Sequence, residues 1–146
     1  MSLFKVFDVA GSAMQAQSMR LNTVASNLAN ANAVSGTEAD VYRAKKPVFE
    51  TMLIANQTGI EPSVGSDFAL HHGVQVSDVI ESDAEAIARY EPKHPLADKQ
   101  GYVYYSNVNA IEEVVDMMSA SRSFQSNTEV LSTTKRMMVS LLEMGN

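Results

Sequence analysis

Apolar residues recur every seven positions through the first thirty residues of the chain. One set contains Phe7, Met14, Leu21 and Leu28, and a second contains Leu3, Ala10, Val24 and Ala31. Two such stripes predict a helix that packs lengthwise against another helix. The opposite face is polar but carries few charges, which indicates burial on more than one side. We therefore predict an N-terminal core helix within residues 1–33 that ends near Asn30, because asparagine tolerates the left-handed conformation of a helix C-cap.

The last forty residues repeat this pattern. Met117, Phe124, Leu131 and Met138 stand seven apart, with Val114, Ala120, Leu141 and Leu142 alongside. Either Asn107 or Asn109 can cap the start of this helix, and two glutamates follow in its first turn, where the helix dipole favours negative charge. Neither proline nor glycine occurs between Tyr102 and Met144. These features predict a C-terminal core helix within residues 107–146, roughly 50 Å long.

The middle of the chain, residues 34–106, is built differently. It holds all the prolines and histidines and most of the glycines. Residues 41–49 are predicted to be extended, with Pro47 barring a helix and placing the segment in an edge strand or an irregular strand. Short apolar alternations at 74–79, 86–90 and 102–105 predict a small, mostly antiparallel β insert. Residues 56–73, rich in Gly and Ser, are predicted to form a mobile loop.

These patterns predict a fold that is mainly α with a small β insert. We expect the N- and C-terminal helices to pair as an α-helical coiled coil, with a central irregular region of the β-hairpin type between them. The chain holds nine Met and five Phe but no Trp, which is a thin supply of bulky core residues. Small and flexible apolar side chains suit close helix contacts, so we expect part of the core to be shared between molecules.

Residues that could carry chemistry are sparse. His71 and His72 are adjacent, and because neighbouring strand residues point to opposite faces, we interpret them as an exposed loop pair and not as a metal site. We interpret the acidic residues Asp78, Glu81, Asp83 and Glu85 as the solvated edge of a strand. The chain has no Cys, no Gly-x-Ser-x-Gly nucleophile motif and no glycine-rich phosphate loop. We therefore expect no enzymatic activity, no metal and no cofactor.

Charge and hydropathy restrict the possible partners. The formal net charge is -6 at pH 7, and basic residues cluster only at Arg43, Lys45 and Lys46. That cluster is too small to follow a nucleic-acid backbone or to hold the chain on an anionic membrane. The N-terminus lacks the basic and apolar regions of a signal peptide. We expect no nucleic acid, no direct membrane insertion and no cleaved signal peptide.

Several strings of residues resemble the flagellar rod and hook family, the axial proteins of the bacterial flagellum. Residues 25–32 are similar to the Asn-rich end of that family's N-terminal helix, and residues 42–50 to its following extended segment. The most specific match, at 101–109 and 119–127, is to proximal-rod proteins. The matching positions are Asn27, Asn30, Asn32, Tyr42, Pro47, Asn107, Asn109, Ser121, Arg122 and Gln125. One departure is Ser106, which stands where the family commonly has proline.

The resemblance implies a structural subunit of the proximal rod of the basal body. Its terminal helices are expected to polymerise into a torque-transmitting drive shaft that spans the periplasm. Partners implied are copies of the same chain, the proximal-rod proteins FlgB and FlgF, the adaptor FliE, and the flagellar type III export apparatus, which exports such subunits without a cleaved signal. Helix packing between subunits is expected at Leu3, Phe7, Met14, Leu21, Val24, Leu28, Val114, Met117, Phe124, Leu131, Met138 and Leu141.

Two other functions compete with this one. Another subunit of the rod and hook family is the nearer alternative, although the short insert argues against the large hook and distal-rod members. A cytosolic coiled-coil adaptor is the second, and it predicts charged residues flanking the apolar stripes. These helices lack such charges, which favours the rod.

Overall fold

The computed structural model describes residues 3–54 and 71–144, except for the side chains of residues 3–4, 53–54 and 71–72. Its elements, in chain order, are helix α1 (Leu3–Ala29), strand β1 (Val34–Ser35), a 3-10 turn (Glu38–Asp40), strands β2 (Lys45–Ile54), β3 (His71–Glu81), β4 (Ile87–Tyr90) and β5 (Tyr102–Tyr105), and helix α2 (Ala110–Met144). Two helices therefore flank a small β region, which confirms the fold class at this level.

The two helices lie antiparallel against each other. Asn27, near the end of α1, donates to Glu113 in the first turn of α2, and Arg20 forms an ion pair with Asp116 at 2.8 Å. Helix α2 has 35 residues and α1 has 27. At equal rise per residue, the start of α1 lies beside roughly residue 137 of α2. The last two turns of α2 therefore extend beyond α1.

Strands β2 and β3 form a two-stranded antiparallel ribbon that packs on α1. Beyond the ribbon's end, the Ser82 N–H donates to the Ala44 carbonyl at 2.8 Å. Because hydrogen-bonded and non-hydrogen-bonded pairs alternate in such a ladder, Pro47 falls at a non-hydrogen-bonded position opposite Val79. The missing N–H of proline therefore costs the ladder no bond, and the predicted edge position of Pro47 is confirmed.

Helix α1 crosses this ribbon diagonally. At one end, the Asn27 side chain binds the backbone of Lys45, whose N–H and C=O point outward from β2. Toward the start of the helix, Ser12 Oγ accepts from the Val74 N–H on the outer edge of β3, at 3.2 Å. The ribbon thus contacts one side of α1, and α2 contacts another. On the polar face, Ser12 is half-buried, whereas Gln15, Ser18, Asn22 and Ser26 are exposed. One chain therefore leaves this face open to solvent, and its burial stays a prediction.

The second sheet has the strand order β1, β5, β4, with both pairings antiparallel. Val103 on the central strand is fully buried. The turn before β5 is closed by Asp98, which accepts from the Tyr102 N–H at 2.8 Å. It ends at Gly101, whose φ of 87° is a left-handed conformation that glycine adopts without strain.

Some details differ from the expectations. The sequence did not predict β1, a strand of two residues, or the division of the β region into two sheets. The predicted mobile loop at 56–73 falls mostly on residues outside the described ranges, but residues 71–73 belong to β3. The ends of both helices agree closely with prediction, since α1 ends at Ala29 and α2 starts directly after Asn109.

Candidate subunit interface

The contact between α1 and α2 is lined by small and polar side chains. The buried residues of the two helices are Ala10, Ala16, Thr23, Val24 and Asn27 on α1, and Glu113, Ala120 and Thr134 on α2. Those on α2 share a seven-residue spacing. Small side chains let helices approach closely, but they bury little apolar surface. The contact therefore leaves most of the bulky hydrophobic residues of the helices incompletely covered.

The residues predicted for helix packing illustrate this. Val24 is buried, whereas Val114 and Leu141 are exposed. Half-buried positions are Phe7, Met14, Leu21, Leu28, Met117, Phe124, Leu131 and Met138. The side chain of Leu3 lies outside the described residues. The coiled-coil pairing of the two helices stays a prediction, as does the role of these residues between subunits.

The start of α2 carries an apolar patch on its outer side, which we call the proximal patch. It consists of Ile111, Val114, Val115 and Met118, of which Ile111 is 78% and Val115 60% exposed. At 100° per residue these four positions lie on one side of the helix, opposite the line from Glu113 to Thr134 that faces α1. Exposed apolar patches of this kind mark interaction sites.

The end of α2 carries a second apolar surface, the distal stripe. It consists of Val130, Met137, Leu141 and Met144, all exposed and spaced by seven, four and three residues. This is the spacing of a helix that packs against another helix. Part of the stripe lies beyond the start of α1, so α1 of the same chain does not cover it. Between the two surfaces, the outer side of α2 is polar.

A buried polar junction joins α1, β2 and α2 at Asn27, which is 1% exposed. Its Nδ2 donates to the Lys45 carbonyl at 2.8 Å and to Glu113 Oε1 at 3.1 Å. Its Oδ1 accepts from the Lys45 N–H at 2.9 Å and from the Tyr42 hydroxyl at 2.9 Å. The side chain thus makes four hydrogen bonds, and Glu113 Oε2 is buried beside them without a partner among the described residues. This junction fixes how the helix pair meets the β region.

Asn107 and Asn109 hold the start of α2. Asn107 Oδ1 accepts from the Ala44 N–H and its Nδ2 donates to the Ala84 carbonyl, both at 2.8 Å. Asn109 Oδ1 accepts from the Ile111 N–H at 3.1 Å, as an N-cap does. Of the two residues predicted as possible caps, Asn109 therefore caps the helix, and Asn107 ties the two sheets together.

The other positions of the family motif are less connected. Asn30 donates to the Ser26 carbonyl at 2.8 Å and closes the end of α1, while Asn32 is exposed. On α2, Ser121 is half-buried, and Arg122 and Gln125 are exposed on the polar outer side. The motif thus combines residues that build the junction with residues on the free surface of α2.

An aromatic and charged cluster lies on β4 and β5. The Tyr105 hydroxyl lies 3.2 Å from both carboxylate oxygens of Glu91, and the guanidinium of Arg89 lies over the Tyr105 ring at 4.7 Å. Partial burial and the neighbouring Glu91 carboxylate raise the pKa of Tyr105, and Arg89 partly offsets this rise. The cluster holds β4 against β5.

Within residues 3–54 and 71–144, no group of three or more His, Cys, Asp or Glu side chains could hold a metal ion. Among the helices of the same residues, none is long and apolar enough to cross a membrane.

Comparisons with known proteins agree with this geometry. A family profile described as "Flagella basal body rod protein" matches residues 7–36, and one described as "Flagellar basal body rod FlgEFG protein C-terminal" matches residues 99–144. The chain is 49% identical to the flagellar basal-body rod proteins FlgC of Escherichia coli O157:H7 and Salmonella typhimurium, with 99% of each chain covered. It is 32% identical to that of Borreliella burgdorferi, with 97% covered. The chain belongs to the FlgC family of flagellar basal-body rod proteins.

Membership of the FlgC family confirms the resemblance found in the sequence and, with it, a structural role in the basal-body rod. The two profiles cover most of α1 and all of β5 and α2. They leave out β2, β3 and β4. The regions that match the two profiles are thus the helices, β1 and the strand that leads into α2. Sequence reasoning placed Ala120 beside the apolar stripe but missed Glu113 and Thr134 as contact residues, although they lie seven and fourteen residues from Ala120.

Proposed function

We propose that this chain is a structural subunit of the proximal rod that polymerises through its terminal helices into the torque-transmitting drive shaft of the flagellum. The observation that carries the proposal is the exposed apolar surface of α2, formed by the proximal patch and the distal stripe. A helix with apolar residues on several sides is usually buried. In a rod, helices of neighbouring subunits supply that burial.

The contact between α1 and α2 buries little apolar surface. Because that contact uses small and polar side chains, one chain alone leaves much of its apolar surface in water. Covering an exposed apolar side chain contributes about 1.5 to 3 kcal/mol. The eight residues of the patch and the stripe supply a favourable term large enough to offset the ordering cost of association. Assembly therefore completes the core that one chain leaves open.

The environment belongs to the same proposal. The subunit is exported by the flagellar type III apparatus without a cleaved signal and takes its place in a rod that spans the periplasm. Its neighbours are copies of itself, FlgB, FlgF and the adaptor FliE. Its role is mechanical, and it carries no enzymatic activity. Membership of the FlgC family supports these points, since its relatives are named as rod proteins.

The proposal is tested by placing a charge in the proximal patch. Val115→Asp changes an exposed side chain, so the isolated chain keeps its fold and its unfolding midpoint. In a strain that lacks the native gene, we expect this variant to be exported but to build no rod and to give no swimming. Ser132→Asp places the same charge at an exposed polar position of α2 and serves as the matched control, which swims. Normal swimming by Val115→Asp would show that α2 is not the assembly surface.

A further inference from the structure

Strand β4 is an open sheet edge. Its register pairs Ile87 with Tyr105 and Tyr90 with Tyr102, and the Glu91 N–H donates to the Gly101 carbonyl at 2.9 Å just beyond it. Hydrogen-bonded pairs alternate along an antiparallel ladder. The backbone N–H and C=O groups of Ala88 and Tyr90 therefore point away from β5. Among the described residues, no hydrogen-bond partner takes up these groups.

The edge of β4 lacks the protection that β3 has. On β3, the outward N–H of Val79 is bound by Asp78 Oδ1 at 2.7 Å, and that of Val74 by Ser12. On β4, all four side chains are exposed, Tyr90 by 66%, and the strand contains no proline, acid or bulge. Edges left in this state are templates for pairing with another strand.

The positive charge of Arg89 on β4 restricts which strand can pair with this edge. If two copies of β4 paired with each other through Ala88 and Tyr90, their Arg89 side chains would stand directly opposite. Like charges at directly opposed positions destabilise a strand pair. An edge that places a carboxylate opposite Arg89 is therefore favoured over self-pairing.

The outer edge of β2 meets this requirement. Because Lys45 points its N–H and C=O outward to Asn27, alternation along β2 turns the backbone groups of Phe49 and Thr51 outward as well. At this level α1 has crossed to the β3 side of the ribbon, and Phe49, Glu50 and Thr51 are exposed. Within the described residues no strand pairs with this edge. Phe49 and Thr51, whose backbone groups point outward, flank the exposed Glu50.

We infer that β4 of one subunit adds as an antiparallel strand to the outer edge of β2 in a second copy of the chain. Ala88 then pairs with Thr51 and Tyr90 with Phe49, and Arg89 stands opposite Glu50 at the intervening close pair. An opposite-charge pair and an aromatic pair both stabilise such contacts. Backbone hydrogen bonds to a free strand edge provide the affinity, and the side-chain pairs determine the register.

The two surfaces differ, so the contact is heterologous. A heterologous contact that does not close into a ring generates an open helical filament. This inference rests on the proposed rod function and adds a contact between the β regions of neighbouring copies to the contact between helices. The strand is short, so the contact sets orientation more than it holds the rod together.

Charge reversal tests the inference. We expect Arg89→Glu and Glu50→Arg each to lower the yield of assembled rods about two- to fivefold, and the double variant to restore it. Arg89→Glu also loses the contact with the Tyr105 ring, but this loss persists in the double variant, so rescue reports the contact between subunits alone. Lys93→Glu, an exposed change just beyond β4, is the control and leaves the yield unchanged. Unimpaired single variants or a double variant without rescue would overturn the pairing.

Cross-linking supplies an independent readout, since the chain has no cysteine of its own. Directly paired residues of adjacent strands lie within the Cα distance that a disulfide spans. In isolated basal bodies, Arg89→Cys with Glu50→Cys, at the close pair, should yield a ladder of oligomers on oxidation, and either change alone should yield monomers. Dimers from Arg89→Cys alone would indicate self-pairing of β4, and monomers from the double variant would exclude the contact. If Val115→Asp abolishes swimming while both of these tests fail, the rod function stands and the strand pairing does not.

Discussion

Replacing Asn27 by alanine tests the polar junction at the base of the helix pair. The change removes four hydrogen bonds from a side chain that is 1% exposed. It leaves the N–H and C=O of Lys45 and the Oε1 of Glu113 without their partner. A buried polar group without a partner costs about 1 to 3 kcal/mol, and the half-buried Lys45 regains part of this from water. We expect Asn27→Ala to destabilise the chain by about 3 kcal/mol.

The assay is thermal and urea unfolding of the purified chain, followed by circular dichroism. For a chain of this length, about 3 kcal/mol lowers the melting temperature by roughly 6 to 12 °C. Asn32→Ala makes the same chemical change at an exposed position and should shift stability by less than about 0.5 kcal/mol. Tyr42→Phe removes a single donor from the junction and should cost about 1 kcal/mol. Equal stability of Asn27→Ala and Asn32→Ala would refute the role of the junction.

Three further outcomes follow from single contacts. Gly101→Ala should destabilise the chain by at least about 1 kcal/mol in urea unfolding, because φ is 87° and a Cβ would lie 2.8 Å from the Tyr90 ring; a neutral effect would contradict this conformation. A double-mutant cycle on Arg20 and Asp116 should give a coupling below about 1 kcal/mol, since both side chains are partly exposed, and a larger value would mean that the pair is shielded from water. Since the pKa of Tyr105 is raised, the folded chain binds the phenolic proton more tightly than the unfolded chain does. The protonated phenol therefore stabilises the fold below pH 10.0, and this stabilisation is lost as the pH rises through the raised pKa. The difference between the ultraviolet titrations of the unchanged chain and of Tyr105→Phe should therefore have its midpoint above pH 10.0, and a midpoint at or below pH 10.0 would contradict the raised pKa of Tyr105.

The helices and strands could be predicted because local signals specify them. Seven-residue apolar spacing and the absence of proline predict both helices, and Asn109 caps the second as expected. Alternating residues predict β4 and β5 to within a residue. Strand β1 has no such signal, because two residues cannot show an alternation. It exists only because β5 lies beside Val34 and Ser35, a contact between distant parts of the chain.

The contact between α1 and α2 was predicted less completely, and the role of the predicted apolar stripe between subunits stays a prediction. Met117 and Phe124 stand out in the sequence, yet the buried line of α2 runs one turn earlier, through Glu113 and Ala120. A small or polar residue carries little hydrophobic signal even where helices approach most closely. Asn27 was assigned to the family motif from its resemblance, but its role as a buried junction depends on Lys45 and Glu113, which only the folded chain brings together.

Assembly as proposed requires that the outer surface of α2 is covered in the rod. The most direct test is thiol labelling of Met118→Cys, in the proximal patch, in the free chain and in isolated basal bodies. We predict fast labelling of the free chain, protection in the assembled rod, and full labelling again when the rod is denatured. Equally fast labelling in the free chain and in the intact rod would contradict assembly through this surface.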